Sequence, residues 1–180
     1  MMSSPERTLV LVGPMAAGKT SVGRRVAKRL GVPFRDSDRM IAAAHGPIPE
    51  IFREHGEAHF RALERDEIAR LVTVPGVLAL GGGAVMDAET RARLRAVSVV
   101  LLTVTAEAVA ARLAASGRPL LDGAEDRLTQ WTRIFGEREA WYREVADVTF
   151  DTSHTPLTQI ADDIAQWAQH PSPKEADDES

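Results

Sequence analysis

The feature that most constrains this chain is the eight-residue stretch 13–20, GPMAAGKT. It matches the pattern G-x-x-x-x-G-K-[ST], follows the apolar run 9–12 and precedes a helical pattern that begins near Gly18. Glycines at both ends of the loop allow the backbone to turn successive N–H groups toward phosphate oxygens, and the helix N-terminus adds a partial positive charge. The stretch is therefore predicted to be a phosphate-binding P-loop.

Two side chains of this loop are predicted to contact different parts of a bound nucleotide and its metal ion. Lys19 is expected to span the β- and γ-phosphates, and Thr20 is expected to place its hydroxyl on a Mg²⁺ ion. ATP is thus the expected co-substrate and Mg²⁺ the expected cofactor. The predicted ATP-binding residues of the loop are Ala16, Ala17, Gly18, Lys19, Thr20 and Ser21.

The composition predicts one compact domain, residues 1–170, because 180 residues supply one real core. The net charge of −4 argues against a nucleic-acid partner, and the acidic tail 171–180 is predicted to be disordered. The chain contains no cysteine and no long apolar stretch, and its N-terminus leads directly into a strand. We therefore expect a cytoplasmic protein without a membrane segment, and we take a monomer as the default oligomeric state.

Short apolar runs alternate with helical patterns along the chain, which is typical of an α/β fold with a parallel sheet covered on both faces. Such a sheet binds ligands at the carboxyl ends of its strands, so the residues that follow each strand are expected to meet in one cleft. The five predicted strands are residues 8–12, 33–35, 76–80, 97–104 and 148–151.

Two carboxylates, Asp36 and Asp38, leave the second predicted strand. Beside a phosphate site, such a pair can divide its work between the shell of a Mg²⁺ ion and a substrate hydroxyl. The alternative is that Asp38 only caps a helix at 39–44, with Asp36 a solvated turn residue.

Arg61 lies beside the apolar face of a helix predicted at 57–72, with Glu57 four residues before it and Glu64 three residues after it. This spacing is typical of a surface ion-pair ladder. It also fits an arginine that Glu64 holds toward an anionic substrate group. The sequence leaves both interpretations open.

Three consecutive glycines, Gly81, Gly82 and Gly83, follow the third predicted strand and indicate a tight turn or a close approach of backbone to ligand, with a flexible hinge as the alternative. No acidic residue stands there, which counts against a motor or transporter ATPase. The chain contains no Asn, so an Asn-Lys-x-Asp guanine motif is excluded. In the loop 116–123, Arg118 is placed like a mobile cation over the γ-phosphate, or it is simply a solvated arginine.

Six motifs in this order resemble shikimate kinase: GPMAAGKT, the D-x-D of residues 36–38, FREHGEAHFRALE, GGG, RPLL and ER-x-x-WY. The resemblance covers residues 7 to 152. It implies a P-loop NTPase fold of the nucleoside-monophosphate-kinase type, with a five-stranded parallel sheet flanked by helices and a mobile lid at about 112–124. It also implies transfer of the γ-phosphoryl of ATP to the 3-hydroxyl of shikimate, in the chorismate route to aromatic amino acids.

The resemblance also implies roles for single residues. Asp36 would reach the metal through water, and Asp38 would hold the shikimate hydroxyls and act as the proposed base. Arg61, oriented by Glu64, would grip the shikimate carboxylate together with Arg138. Lys19 and Arg118 would be catalytic cations, and Thr20 would contact the metal. Arg112 would occupy an adenine-stacking position. The turn of Gly81, Gly82 and Gly83 would contact the substrate, with the Gly82 contact made by its backbone.

Ala16 and Ala17 stand where the family often has Gly and Ser, which is tolerable because backbone N–H groups bind the phosphates. Two rival functions are considered. A related small-metabolite kinase, such as a gluconate kinase, shares the P-loop but has no evident use for Asp38, Arg61, the glycine turn and Arg138 as a set. A regulatory nucleotide-binding module without catalysis would not require Asp38 and Arg118.

Overall fold

The computed structural model describes residues 7–115, 121–122 and 125–171. The strands are β1 (Thr8–Val12), β2 (Phe34–Asp36), β3 (Gly76–Ala79), β4 (Ser98–Thr103), β5 (Leu121–Asp122), β6 (Glu125–Asp126) and β7 (Val148–Asp151). The α-helices are α1 (Lys19–Leu30), α2 (Ser37–His45), α3 (Ile48–His55), α4 (Glu57–Leu71), α5 (Ala88–Leu94), α6 (Ala106–Ala115), α7 (Arg127–Val145) and α8 (Leu157–Gln169).

Five of the strands form one parallel sheet in the order β2-β3-β1-β4-β7, which confirms the predicted sheet. Every residue of the central strand β1 is buried. Alternate side chains of a strand point to opposite faces, so Leu9 and Leu11 join the core formed with α1 and α8. Val10 and Val12 instead join the core formed with α4 and α7. The apolar run in the sequence thus reflects helices on both faces.

Four elements were not predicted from the sequence. A 3₁₀ turn at Ala84–Met86 and helix α5 follow the glycine triplet, where Asp87 caps α5 by accepting a hydrogen bond from the Thr90 N–H. Strand β5 lies within the predicted lid segment, and its antiparallel partner β6 follows that segment directly. Arg118 and the other lid residues 116–120 and 123–124 lie outside the described residues, as do tail residues 172–180.

No helix in the described part of the chain combines the length and the apolar character that crossing a membrane requires.

Candidate active site

The loop that follows β1 has the backbone shape predicted for a phosphate site. Gly13 has φ of 146° and packs so closely on β4 that a Cβ would collide with the carbonyl oxygen of Leu102. Gly18 has φ of 91° and is the N-cap of α1, so the helix begins near Gly18 as the sequence predicted. Both positions favour glycine, the residue that enters this region of φ without strain.

Lys19 lies across this loop and donates hydrogen bonds to the carbonyl oxygens of Gly13 (2.7 Å) and Pro14 (2.9 Å). Burial lowers the pKa of Lys19 from 10.5 to about 8, although the charges of Asp38 and Asp36 oppose the shift. The ammonium group therefore lies within the field of both carboxylates that follow β2. This is the arrangement expected of a cation that meets phosphate oxygens.

The Thr20 hydroxyl donates a 2.9 Å hydrogen bond to Oδ2 of Asp36. Asp36 is also the N-cap of α2, where it accepts a hydrogen bond from the Arg39 N–H. The alternative in which Asp38 caps this helix is therefore wrong, because α2 begins at Ser37 and Asp36 provides the cap.

These oxygen atoms fit a Mg²⁺ ion, which prefers hard oxygen ligands and is usually held by one or two carboxylates together with substrate phosphates. Within residues 7–115, 121–122 and 125–171, His, Asp and Glu form no group of three that could hold a metal by itself. A magnesium ion would thus be shared between Thr20, Asp36 and a bound nucleotide.

Asp38 lies in the first turn of α2 and faces the glycine turn after β3. Its Oδ1 atom is buried and has no hydrogen-bond partner in the part of the chain that the structure describes. Burial, and then the charge of Asp36, raise the pKa of this carboxyl, whereas Lys19 and Arg61 lower it. An unsatisfied buried acceptor is costly, so this oxygen is suited to accept a hydrogen bond from a ligand hydroxyl.

Arg61 is held by Glu64 at 2.8 Å, and Glu57 lies 3.5 Å from the same guanidinium. Glu64 is only 3% exposed, and burial raises the pKa of its carboxyl despite the bond from Arg61. A buried carboxylate holds the guanidinium of its partner in one orientation far better than exposed ion pairs on a helix surface do. The structure therefore supports the interpretation in which Glu64 orients Arg61 as a cation.

The glycine turn is shaped by the side chains that face it. A Cβ on Gly81 would lie 2.5 Å from Oδ1 of Asp38, and a Cβ on Gly83 would lie 2.5 Å from Nη2 of Arg61. The Gly82 carbonyl accepts a 2.5 Å hydrogen bond from the Tyr142 hydroxyl. The turn is therefore fixed and packed rather than a flexible hinge, and its glycines leave room for Asp38 and Arg61 together.

Arg138 lies one turn before Tyr142 on α7, and although burial raises the pKa of the Tyr142 hydroxyl, the charge of Arg138 lowers it. The same charge lowers the pKa of Glu64 and of Lys19, although burial has the opposite effect on Glu64. Arg138 therefore reaches the same region as Arg61 and the P-loop. A cavity of about 330 Å³ beside the P-loop is lined by Arg138, Tyr142 and apolar residues of α6 and α7.

Arg112 and Ser21 are two further predicted nucleotide contacts in the described part of the chain. Arg112 hydrogen-bonds the carbonyl oxygens of Ala16 and Thr152, so its guanidinium lies against the P-loop and its adenine contact stays a prediction. Ser21 is exposed on the first turn of α1. Arg118 was predicted to reach the γ-phosphate and lies outside the described residues.

Four residues that shape the site were given no role from the sequence, although Tyr142 ends the ER-x-x-WY motif. The Ser37 hydroxyl accepts a hydrogen bond from the Gly81 N–H, and Thr152 donates to the Ala17 carbonyl. Trp131 and Tyr142 donate from α7 to Met15 and Gly82. Thr152 follows β7 directly and could have been found by the same rule that identified the residues after β1, β2 and β3.

A family model for shikimate kinase matches residues 15–169. The chain belongs to the shikimate kinase family. A shikimate kinase of Salinispora arenicola is 45% identical over 159 residues, covering 87% of this chain and 94% of the relative.

Solved structures agree with this assignment. Shikimate kinase from Acinetobacter baumannii in complex with shikimate is 37% identical, with a TM-score of 0.81, and the alignment covers 91% of this chain and 93% of that one. A gluconokinase from Sinorhizobium meliloti is 19% identical with a TM-score of 0.61, a likeness that shows the shared fold alone. The predicted fold type, a P-loop kinase domain, is therefore confirmed.

Proposed function

We propose that Asp38, Arg61, Lys19 and the turn at residues 81–83 form the site where this chain performs the reaction of its family, the phosphorylation of shikimate by ATP. The observation that carries these assignments is steric. A Cβ on Gly81 would collide with the Asp38 carboxylate and a Cβ on Gly83 with the Arg61 guanidinium, so the two glycines leave space for both groups at one packed turn. The substrate pocket thus presents a hydrogen-bond acceptor and a cation to one small ligand.

The chemistry of shikimate, a small hydroxyl-rich carboxylate, matches this pair. Arg61 offers the planar fork that binds a carboxylate, and Arg138 supports it from α7. Asp38 accepts the proton-bearing 3-hydroxyl on its unpartnered Oδ1 and aims the oxygen at the γ-phosphorus. The proton passes toward Asp38 as the new oxygen–phosphorus bond forms and the bond to ADP breaks.

Phosphoryl transfer places negative charge on the oxygens around the moving phosphorus, so fixed cations lower the barrier. Lys19 supplies one such cation from the P-loop. Mg²⁺, when bound at Thr20 and Asp36, neutralises phosphate charge. We assign Arg118, from the lid, as a second cation over the γ-phosphate, as the family resemblance implies.

We further propose that the protein acts in the cytoplasm as a monomer. A cysteine-free chain that uses ATP fits a reducing compartment that contains ATP. Light scattering coupled to gel filtration measures the oligomeric state, and a dimer mass would overturn the monomer.

A coupled assay of ADP release tests the function, with ATP and Mg²⁺ present and shikimate or gluconate added separately. Release that depends on shikimate alone is expected. Release driven by gluconate would keep the P-loop chemistry and overturn the substrate site. ATP binding without release on either substrate would instead favour a regulatory module.

A further inference from the structure

Ala16, at the tip of the P-loop, has φ of 65° and is the non-glycine residue with positive φ in the described chain. An L-residue with a Cβ pays roughly 1–2 kcal/mol for the left-handed region, a cost that glycine avoids. Side-chain burial does not hold this tip in place, because Ala16 is exposed and Met15 is 72% exposed. Some other contact must stabilise the strained conformation.

The carbonyl oxygens of three successive residues are bound by side chains from outside the loop. Trp131 Nε1 donates to the Met15 carbonyl at 2.8 Å, and Arg112 donates to the Ala16 carbonyl. Thr152 donates to the Ala17 carbonyl at 2.8 Å. Because a peptide is planar and trans, fixing a carbonyl oxygen also fixes the N–H of the next residue on the opposite side.

We propose that Trp131 is a positioning residue for nucleotide binding, which acts through its hydrogen bond to Met15. The bond fixes the Met15–Ala16 peptide and so holds Ala16 in its strained conformation. The Ala16 N–H then stays where a P-loop presents its amides to phosphate. Arg112 and Thr152 also hold the loop by hydrogen bonds to its carbonyl oxygens. Arg112 is itself a predicted nucleotide contact, so a change there would alter loop position and direct binding together. A change at Trp131 tests the position of the loop alone.

Trp131 is itself well fixed for this role. Its ring stacks on Phe135 with centroids 5.3 Å apart and planes at 12°, and Phe135 in turn lies 6.3 Å from Tyr142. The indole is therefore part of an aromatic row along α7, whose other end holds the Gly82 carbonyl. Replacement by Phe keeps the aromatic ring and removes the N–H donor.

The test is Trp131→Phe, with ADP binding measured by calorimetry and the KM values for ATP and shikimate measured by coupled assay. Loss of one hydrogen bond is expected to weaken ADP binding and raise the ATP KM by about three- to tenfold. The shikimate KM and the melting temperature should change little. Trp141→Phe, a matched change on the same helix, should leave ADP binding within about twofold.

A second variant tests the link to backbone strain. Ala16→Gly removes the cost of positive φ, so the loop should depend less on its anchor, and Trp131→Phe should have a smaller effect in that background. Three outcomes would each overturn the proposal. The first is unchanged ADP binding in Trp131→Phe. The second is an equal rise in the KM values of ATP and shikimate together with a lower melting temperature, and the third is that the effects of Trp131→Phe and Ala16→Gly on ADP binding are fully additive. The inference rests on ATP as the co-substrate. If the wild-type protein binds ADP but does not phosphorylate shikimate, the proposed function is rejected. The effect of Trp131→Phe on ADP binding can still be measured in that case.

Discussion

At Asp38, burial raises the pKa of a carboxyl whose Oδ1 has no hydrogen-bond partner within the described residues. The folded state therefore disfavours the charge that the proposed role of Asp38 as a base requires. We expect Asp38→Asn to lose about 10²-fold or more in kcat, because an amide cannot accept the substrate proton. The same variant should melt at a higher temperature than the wild type, since it removes a poorly compensated charge.

Steady-state assays and thermal melts of the two proteins test this pair of effects. Asp66→Asn is the matched control, because Asp66 is 79% exposed on α4 and should change neither quantity appreciably. Retained turnover would remove Asp38 from the mechanism, and a lower melting temperature would contradict the proposed cost of its charge.

Gly83 has φ of −94° and ψ of −4°, a conformation that alanine can adopt. The expected effect of Gly83→Ala is therefore on Arg61, whose Nη2 lies 2.5 Å from the position of the new Cβ. We expect the shikimate KM to rise by about tenfold, because the displaced guanidinium no longer meets the carboxylate, while ATP binding is kept.

Gly136→Ala provides the matched control for this change, because a Cβ there meets nothing within 4 Å on helix α7. It should keep full activity and gain about 1 kcal/mol of stability, since alanine is the better helix former. An unchanged shikimate KM in Gly83→Ala, measured beside this control, would mean that the turn does not set the position of Arg61.

Single residues of the candidate site were marked in the sequence by a strand end or a motif, as for Lys19, Thr20, Asp36 and Asp38, and their roles stay predictions. The sequence left the role of Arg61 open because the burial that decides it, that of Glu64, depends on the packing of α4 against the sheet. The hydrogen bond that the Gly81 N–H donates to the Ser37 hydroxyl joins residues 44 positions apart, so no local pattern could indicate it.

Among the elements, α7 spans the site from the nucleotide loop to the substrate turn. Trp131, Phe135, Arg138 and Tyr142 recur at spacings of four and three, so they share one face of the helix. The sequence predicted a helix from 125 to 145, but the face that α7 turns toward the cleft depends on tertiary packing. Helix α5 was missed because it is short and exposes most of its surface, which leaves a weak apolar period.

Tyr142→Phe tests how strongly α7 controls the glycine turn. The change removes the hydroxyl that donates to Gly82 and leaves the ring packed in the core. We expect a stability loss of about 1 kcal/mol from the broken bond, with a several-fold higher shikimate KM because the turn relaxes. Urea unfolding and the coupled assay measure the two effects, and a stability loss with no change in the shikimate KM would limit Tyr142 to a structural role.

For the molecule as a whole, the five strands and the parallel sheet type followed from simple rules, because buried parallel strands read as continuous apolar runs. The order of the strands in the sheet was not predicted from the sequence. The pH dependence of the molecule could not be predicted from the sequence, since it arises from burial of Lys19. The native pKa of about 8 lies below the ordinary value of 10.5. Below about pH 8, Lys19 is charged in both the native and the unfolded state, and the native state carries the full cost of burying that charge.

Between about pH 8 and pH 10.5, native Lys19 loses its proton while the unfolded chain keeps it, so the contribution of Lys19 to the unfolding free energy rises with pH. Lys19→Met removes this titration. At about pH 7 the variant should be the more stable protein, by at most about 3 kcal/mol, and its advantage should shrink toward about pH 10. Urea unfolding of both proteins across this range measures the difference, with Lys28→Met, an exposed change on α1, as the control for losing a lysine. A difference that stays constant with pH would show that Lys19 keeps its ordinary pKa in the folded protein.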